Sequence, residues 1–358
     1  MTESFSQLLE QLVSIPSLSG QESRAANHLT RWMLDHGMMA FLDGVGNVVG
    51  GKGSGPNEII LLGHIDTFPG ELPVYQDNNL LFGRGSVDAK GPLCTFAAAV
   101  SQVDVPNDWR LTVVGAVEEE AASSRGARHL LNRRRINPPK YCIIGEPSRW
   151  DRITLGYKGR LLLHVSMEVP YSHSAGQGIL PAECGVNLWR AMLEYTNSVN
   201  RDRSSAFSKL DASLRAINTL DQGAYGRVNL AVGFRLPEDV APSALEETLR
   251  ELVGLYAEDW SYSMKFESGE KAYRGPKSTL LVRAFLKSIR NAGGNPKFVT
   301  KTGTSDMNVV APVWRCPILA YGPGNSSLDH TPEEHIDLNE YLKSIDILTD
   351  VLARLMHS

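Results

Sequence analysis

The sequence predicts an α/β protein: a mostly parallel, helix-covered sheet that forms the larger domain and carries an inserted smaller α+β domain. Three observations predict it. Strand-like and helix-like runs alternate between residues 59 and 145, as expected of a parallel sheet with crossover helices. Several apolar runs and turns deliver a histidine or a carboxylate at their C-terminal ends, where open α/β sheets bind ligands. At about residue 156 the pattern changes to longer strands separated by helix-like stretches.

Taken in order, residues 4–15 and 22–36 have helical periodicity, and Ser19 and Glu22 are spaced as a capping box for the second helix. IILLG at 59–63, PLCTFAAAVSQV at 92–103, RLTVVGAV at 110–117, GARHLLNRR at 126–134 and YCIIG at 141–145 form a βαβαβ succession. RLLLHVSMEV at 160–169 and RVNLAVGFRL at 227–236 read as strands, with a helix-like stretch around 182–199. Ser243 and Glu246 make a second capping-box spacing, for a helix through Tyr256, and GEKAYRGPKS at 269–278 gives a route back. A helix at 278–291 and the strand CPILAYG at 316–322 resume the first style. The expected domains are therefore 1–155 with 272–358, and an inserted unit over 156–271.

The 358 residues are long for one domain and comfortable for two, and 42% hydrophobic content supplies ordinary cores. A net charge of -4 without a basic stripe argues against nucleic acid or an anionic membrane as partner. Cys94, Cys142, Cys184 and Cys316 are widely spaced, three of them in apolar surroundings, which favours free buried thiols and a reducing compartment. The N-terminal segment has no basic n-region and no apolar run is long enough to span a bilayer, so a cytoplasmic location is expected.

In LLGHID the apolar run ends at His64, and Asp66 follows two positions later. If strand geometry persists there, the Asp66 carboxylate lies beside the imidazole and fixes its tautomer, as metal-ligand histidines usually require. The pair alone also suits an ordinary hydrogen-bonded histidine at a strand end. The rest of the chain adds Asp88 in a Gly-rich turn, Glu118, Glu119 and Glu120 after an apolar run, Glu146 after YCIIG, and His330 in a late loop. Two histidines with three or more carboxylates form a nitrogen-and-oxygen donor set suited to Zn²⁺, Co²⁺ or Mn²⁺.

The motifs GHIDT at 63–67, GRGSVDAKGP at 83–92, EEEAASSRGAR at 118–128, GEPS at 145–148 and the late His330 resemble, in order and over essentially the whole chain, the cocatalytic zinc aminoacylase and carboxypeptidase family. That family includes acetylornithine deacetylase and succinyl-diaminopimelate desuccinylase. TKTGTSDMNV at 300–309 and YGPGNSSLDHTPEEHI at 321–336 are most similar to its short lysine and ornithine hydrolases, which act on carrier-protein conjugates. The resemblance implies two divalent metal ions, Zn²⁺ first and Co²⁺ second, bridged by Asp88. His64 and Glu146 complete one ion's shell and Glu120 and His330 the other's, while Asp66 orients His64. Two ions roughly 3.5–4 Å apart together polarise an amide carbonyl and lower the pKa of water.

The family places a general-base glutamate directly before a ligand glutamate, and three consecutive acids offer two registers. Aligning Gly126 makes Glu119 the base and Glu120 the ligand; Glu118 as base and Glu119 as ligand is the alternative. The resemblance further implies that 1–155 with 272–358 is the metal-binding catalytic domain and 156–271 a dimerisation or lid domain, whose His173, in YSHSAGQG, reaches a partner subunit's site in a homodimer and donates to the developing oxyanion. It also implies that Arg235, Gly303, Thr304 and Ser305 bind a substrate carboxylate. Read from residue type alone, His173 fits a surface loop, Arg235 a strand edge, and the Gly-Thr-Ser-Asp segment a turn. The implied activity is release of lysine or ornithine from a carrier-protein γ-glutamyl amide, or from an N-acyl derivative, in amino-acid biosynthesis. Alternatives are deacetylase, desuccinylase or dipeptidase activity, or a catalytically silent binding module.

Overall fold

In the computed structural model, which describes residues 4–121, 123–134, 137–170, 178–258 and 260–357, the chain opens with helix α1 (Phe5–Val13). The Ser4 hydroxyl accepts from the Gln7 amide and the Gln7 side chain accepts from the Ser4 amide, which satisfies two orphan donors. Helix α2 (Ser23–Asp35) follows, but the Ser19–Glu22 capping box does not form. Ser19 donates to Asp66, and Glu22 accepts from the Gly20 and Glu118 amides, so both side chains hold the loops around the site instead. Strands β1 (Met39–Leu42) and β2 (Val48–Gly53) make an antiparallel edge hairpin.

Strand β3 (Asn57–His64) is buried from Glu58 onward, as a central strand covered on both faces should be. The short β4 (Tyr75–Asp77) and β5 (Leu80–Phe82) lead through a Gly-rich turn into α3 (Lys90–Gln102), whose Ala-rich run packs closely over the sheet. Next come β6 (Trp109–Ala116), α4 (Arg125–Arg134), β7 (Tyr141–Gly145) and β8 (Arg152–Tyr157).

The inserted stretch contains β9 (Gly159–Pro170), α5 (Pro181–Val199), β10 (Asp211–Gln222), β11 (Tyr225–Leu236), α6 (Pro242–Tyr256) and β12 (Ser261–Glu270). Its four strands form one antiparallel sheet in the order β10-β11-β9-β12, with alternating burial along β9 and β11 over a separate core. The Ser243–Glu246 box is also absent. Ala241 is the N-cap and Pro242, whose fixed φ suits the first helical turn and which has one orphan N–H fewer, starts the helix before Ser243.

The chain returns through β13 (Tyr273–Arg274), α7 (Leu280–Asn291), β14 (Lys297–Lys301), α8 (Asp306–Trp314), β15 (Ile318–Ala320), β16 (His335–Asp337) and α9 (Leu338–Met356). The main sheet runs β1-β2-β6-β3-β7-β15-β8, with β6, β3, β7 and β15 mutually parallel at its centre. Two compact units result. One comprises Met1–Gly156, Arg274–Thr300 and Ser305–Ser358; the other comprises Tyr157–Tyr273 and Lys301–Thr304. All four cysteines are free. Among the described residues, no helix is long and apolar enough to cross a membrane.

Candidate metal centre

The register of the central strands builds the site. Gly63 lies opposite Gly115 on β6 and opposite Gly145 on β7, so three glycines cross the sheet in one row. A Cβ at Gly145 would meet the Phe96 ring at 2.8 Å and the Gly63 Cα at 3.1 Å, so the row lets α3 sit tight on the strand ends. The next positions are His64 on β3, Glu146 after β7, and the Glu118–Glu120 turn just beyond β6. Parallel strands thus carry these groups to one edge of the sheet.

Asp88 enters from the β5–α3 turn and His330 from the loop before β16, where it holds a left-handed φ of 62°. Asp88 Oδ1 lies 3.1 Å from His64 Nε2, and Asp88 Oδ2 lies 3.1 Å from His330 Nε2. Glu120 Oε1 is 3.0 Å from His330 Nε2, and Glu146 Oε1 is 4.0 Å from His64 Nε2. Each Asp88 oxygen therefore faces a different imidazole, with a further carboxylate beside each ring. Donor atoms of His64, Asp88 and Glu120 all fall within 4.8 Å of one another. This nitrogen-and-oxygen set fits a pair of divalent ions.

The Glu triplet divides by direction. Glu118, with a left-handed φ of 58°, turns away and pairs with Arg125 at 2.7 Å. Glu119 is buried, and Glu120 faces His330. Asp66 holds this turn: Oδ1 accepts from the Glu119 amide at 3.1 Å, and Oδ2 from the Glu120 amide at 3.0 Å and the Ser19 hydroxyl at 2.7 Å. Because β3 ends at His64, the nearest acceptor to His64 Nδ1 is the Asp66 main-chain oxygen at 2.9 Å, with the carboxylate at 3.5 Å. An Nδ1–H donated there leaves Nε2 free to bind a metal.

Charge is concentrated accordingly. Burial alone would push the His64 imidazole down, but hydrogen bonds from its ring to Asp66 and Asp88 and the nearby acids raise it well above the usual range. His330 is likewise opposed by burial yet raised to about 10 by Asp88 and Glu120. Asp88 resists the upward push of burial and is held low by the two imidazoles. Glu119 and Glu146 are both raised well above ordinary glutamates, first by burial and then by neighbouring acids.

Of the other expected residues, Arg235 donates to the Thr304 hydroxyl at 2.7 Å, which in turn donates to the Lys158 carbonyl at 2.9 Å. Gly303 has open space where a Cβ would stand. Ser305 caps α8: its hydroxyl accepts from the Met307 amide while Asn308 closes a reciprocal bond to the Ser305 amide. His173 lies outside the described residues. Sequence reasoning missed four contributors: Ser19, Phe68, Asp306 and Glu334. Phe68 stacks on His330 with ring centres 4.0 Å apart. Asp306, buried and pushed up to about 6 by that burial, keeps Oδ1 without a hydrogen-bond partner among the described residues. The PEEH string around Glu334 held a signal, an acid four residues after a candidate ligand.

Fold and site together define a metal-dependent hydrolase acting on amide bonds, with donors for a pair of ions. The chain belongs to peptidase family M20/M25/M40, whose sequence pattern matches residues 60–354; the family depends on two metal ions. It is 44% identical over 357 residues to a LysW-lysine hydrolase of Deinococcus radiodurans, covering 98% of this chain and 96% of that one. A LysW-lysine/LysW-ornithine hydrolase of Sulfurisphaera tokodaii is 28% identical, with 98% of this chain and 95% of the relative covered. The crystal structure of an M20 family metallo-carboxypeptidase from Sulfolobus solfataricus superposes with a TM-score of 0.80 at 16% identity, covering 99% of this chain and all of that one.

Proposed function

We propose that this chain is a two-metal amidase that hydrolyses the amide joining the α-amino group of lysine or ornithine to the γ-carboxyl of a carrier protein's terminal glutamate. The observation that supports the chemistry is the placement of Asp88, one oxygen toward each of two histidines. Similarity along nearly the full length to a relative named a LysW-lysine hydrolase supports the substrate. His64, Asp88 and Glu146 would hold one ion and Asp88, Glu120 and His330 the other, with Zn²⁺ the expected metal and Co²⁺ a substitute. When bound, the ions polarise the scissile carbonyl and lower the pKa of water.

The protein's own groups do the rest. Asp66 fixes the Glu119–Glu120 turn through two amides, so Glu119 is aimed while its neighbour is a ligand. Glu119 takes one proton as water adds to the carbonyl and passes it to the amine nitrogen as the C–N bond breaks. One water is consumed, giving a carboxylate on the carrier and a free amine. Arg235, Gly303, Thr304 and Ser305 receive the α-carboxylate of the released amino acid. His173 of a second copy donates to the oxyanion, so the working unit is a cytoplasmic homodimer without nucleic-acid or membrane partners.

A release assay tests this reading. Carrier protein ending in γ-glutamyl-lysine or γ-glutamyl-ornithine is compared with N-acetyl-lysine, N-acetyl-ornithine and N-succinyl-diaminopimelate. Release mainly from the conjugates is expected. Release mainly from the free acyl amino acids would keep the amidase and overturn the carrier substrate. A His173→Ala variant retaining full activity would remove the second copy's histidine.

A further inference from the structure

Glu334 carries a fully buried carboxylate four residues after His330, and nothing in the proposed chemistry uses it. Its Oε1 accepts from three consecutive-turn amides, Gly85 at 3.0 Å, Val87 at 3.0 Å and Asp88 at 3.1 Å. Its Oε2 accepts from Arg84 at 2.7 Å, and its main-chain oxygen accepts from the Gly83 amide at 3.2 Å. One residue therefore gathers the Gly83–Asp88 turn, including the Asp88 amide itself.

Arg84 extends the knot. Its Nε donates to the Gly70 carbonyl at 2.9 Å, which fixes the loop that carries Phe68, and its guanidinium lies 5.8 Å from the Phe68 ring centre. Phe68 stacks on His330 at an interplanar angle of 11°. The chain closes into a ring: Glu334 holds Asp88, Arg84 holds Glu334 and the Phe68 loop, and Phe68 holds the His330 imidazole. Charge-assisted bonds of this kind, shielded from water, are stronger and more directional than neutral ones.

We propose that Glu334 and Arg84 form a positioning pair that sets Asp88 between His64 and His330 and thereby sets the affinity for the second metal ion. The proposal rests on the two-metal reading of the site. Both Glu334 carboxylate oxygens are taken up by the turn amides and Arg84, so it would act through Asp88 and His330 rather than as a ligand. Glu334→Gln keeps the side chain's shape but turns a charged acceptor into a neutral one and points an N–H₂ group at Arg84 or at the turn amides, leaving buried donors unmatched. Groups that orient metal ligands typically change metal affinity about 10–100-fold when altered.

The experiment titrates ZnCl₂ and CoCl₂ into chelator-treated wild type, Glu334→Gln and Arg84→Lys, following heat and, for Co²⁺, the visible absorption. Melting of the metal-free proteins is measured alongside. Wild type is expected to take two ions, and Glu334→Gln to take one near wild-type affinity and the second about 10–100-fold more weakly. Arg84→Lys, which keeps the charge but not the fork, should show a smaller loss in the same ion, with kcat falling and KM nearly unchanged in both variants. Two ions bound by folded Glu334→Gln at wild-type affinity would overturn the pair. If Glu334→Gln does not fold, Arg84→Lys decides by the same criterion. Wild type that binds fewer than two ions would overturn the two-metal reading, and this inference with it.

Discussion

Replacing Glu119 by Gln separates its chemical role from its structural one. The side chain is buried, and burial with the charges of Asp306, Glu120 and Asp66 raises its pKa well above an ordinary glutamate's. The metal-free fold thus shifts Glu119 toward its neutral form, which glutamine imitates in size and charge. The Glu119 amide, held by Asp66 Oδ1 at 3.1 Å, is untouched by the change. Melting of the metal-free protein should therefore not fall, and both ions should still bind. Turnover should fall about 10²–10⁴-fold, equivalent to roughly 2.7–5.5 kcal/mol of lost transition-state stabilisation. Glu118→Gln serves as the comparison: it alters the pair with exposed Arg125 and the contact with the Ser123 hydroxyl, and activity should stay close to wild type. The assay is steady-state release of lysine with metal content measured on the same samples. Near-normal turnover in Glu119→Gln with loss in Glu118→Gln would refute the reasoning and move the base one residue back.

Protonation gives a second prediction. His64, His330, Glu119 and Glu146 all have raised pKa values in the metal-free fold, so at these four groups the folded state binds more protons than the unfolded chain. Stability from such groups is complete below their unfolded pKa values and is lost as pH rises, for His330 through about 10. Chelated protein should melt at progressively lower temperature from about pH 6.5 to 10, whereas Zn²⁺-loaded protein should gain relative to it over the same interval, because metal displaces the protons; parallel melting curves would contradict this. Asp66→Ala removes an acceptor for two amides and a hydroxyl and should cost about 1–3 kcal/mol for each buried donor left unmatched, measurable by urea unfolding, along with most activity. Gly145→Ala forces a Cβ to within 2.8 Å of Phe96 and should destabilise by about 1–3 kcal/mol through overpacking; unchanged urea midpoints would show that the glycine row is not packing-limited.

Most candidate donors were legible because they follow an apolar run or sit in a Gly-rich turn, where the residue type contradicts its surroundings, whereas His330, in a late loop, was legible through its motif. His64 after a fully buried strand and Glu146 after YCIIG are such contradictions. The parallel sheet was legible for the same reason: β3, β6 and β7 are continuous apolar runs. Ser19 and Glu22 misled because a capping spacing also suits two side chains reaching to loops remote in sequence, Ser19 to Asp66 and Glu22 to Glu118. Ser243 and Glu246 misled because Pro242 had already settled the helix start. Glu334 looked like one more surface acid in PEEH; its burial depends on the β5–α3 turn some 250 positions earlier, with |i−j| of 246 to Asp88. Asp306 was hidden in the same way inside a segment whose residue types suit a turn.

The most direct test adds Zn²⁺ stepwise to fully chelated protein and follows lysine release from the carrier conjugate. The account predicts no release without metal and full activity only as the second equivalent per chain is bound, since Asp88 turns one oxygen to each histidine. Full activity in metal-stripped protein, or a plateau at one equivalent, would contradict it.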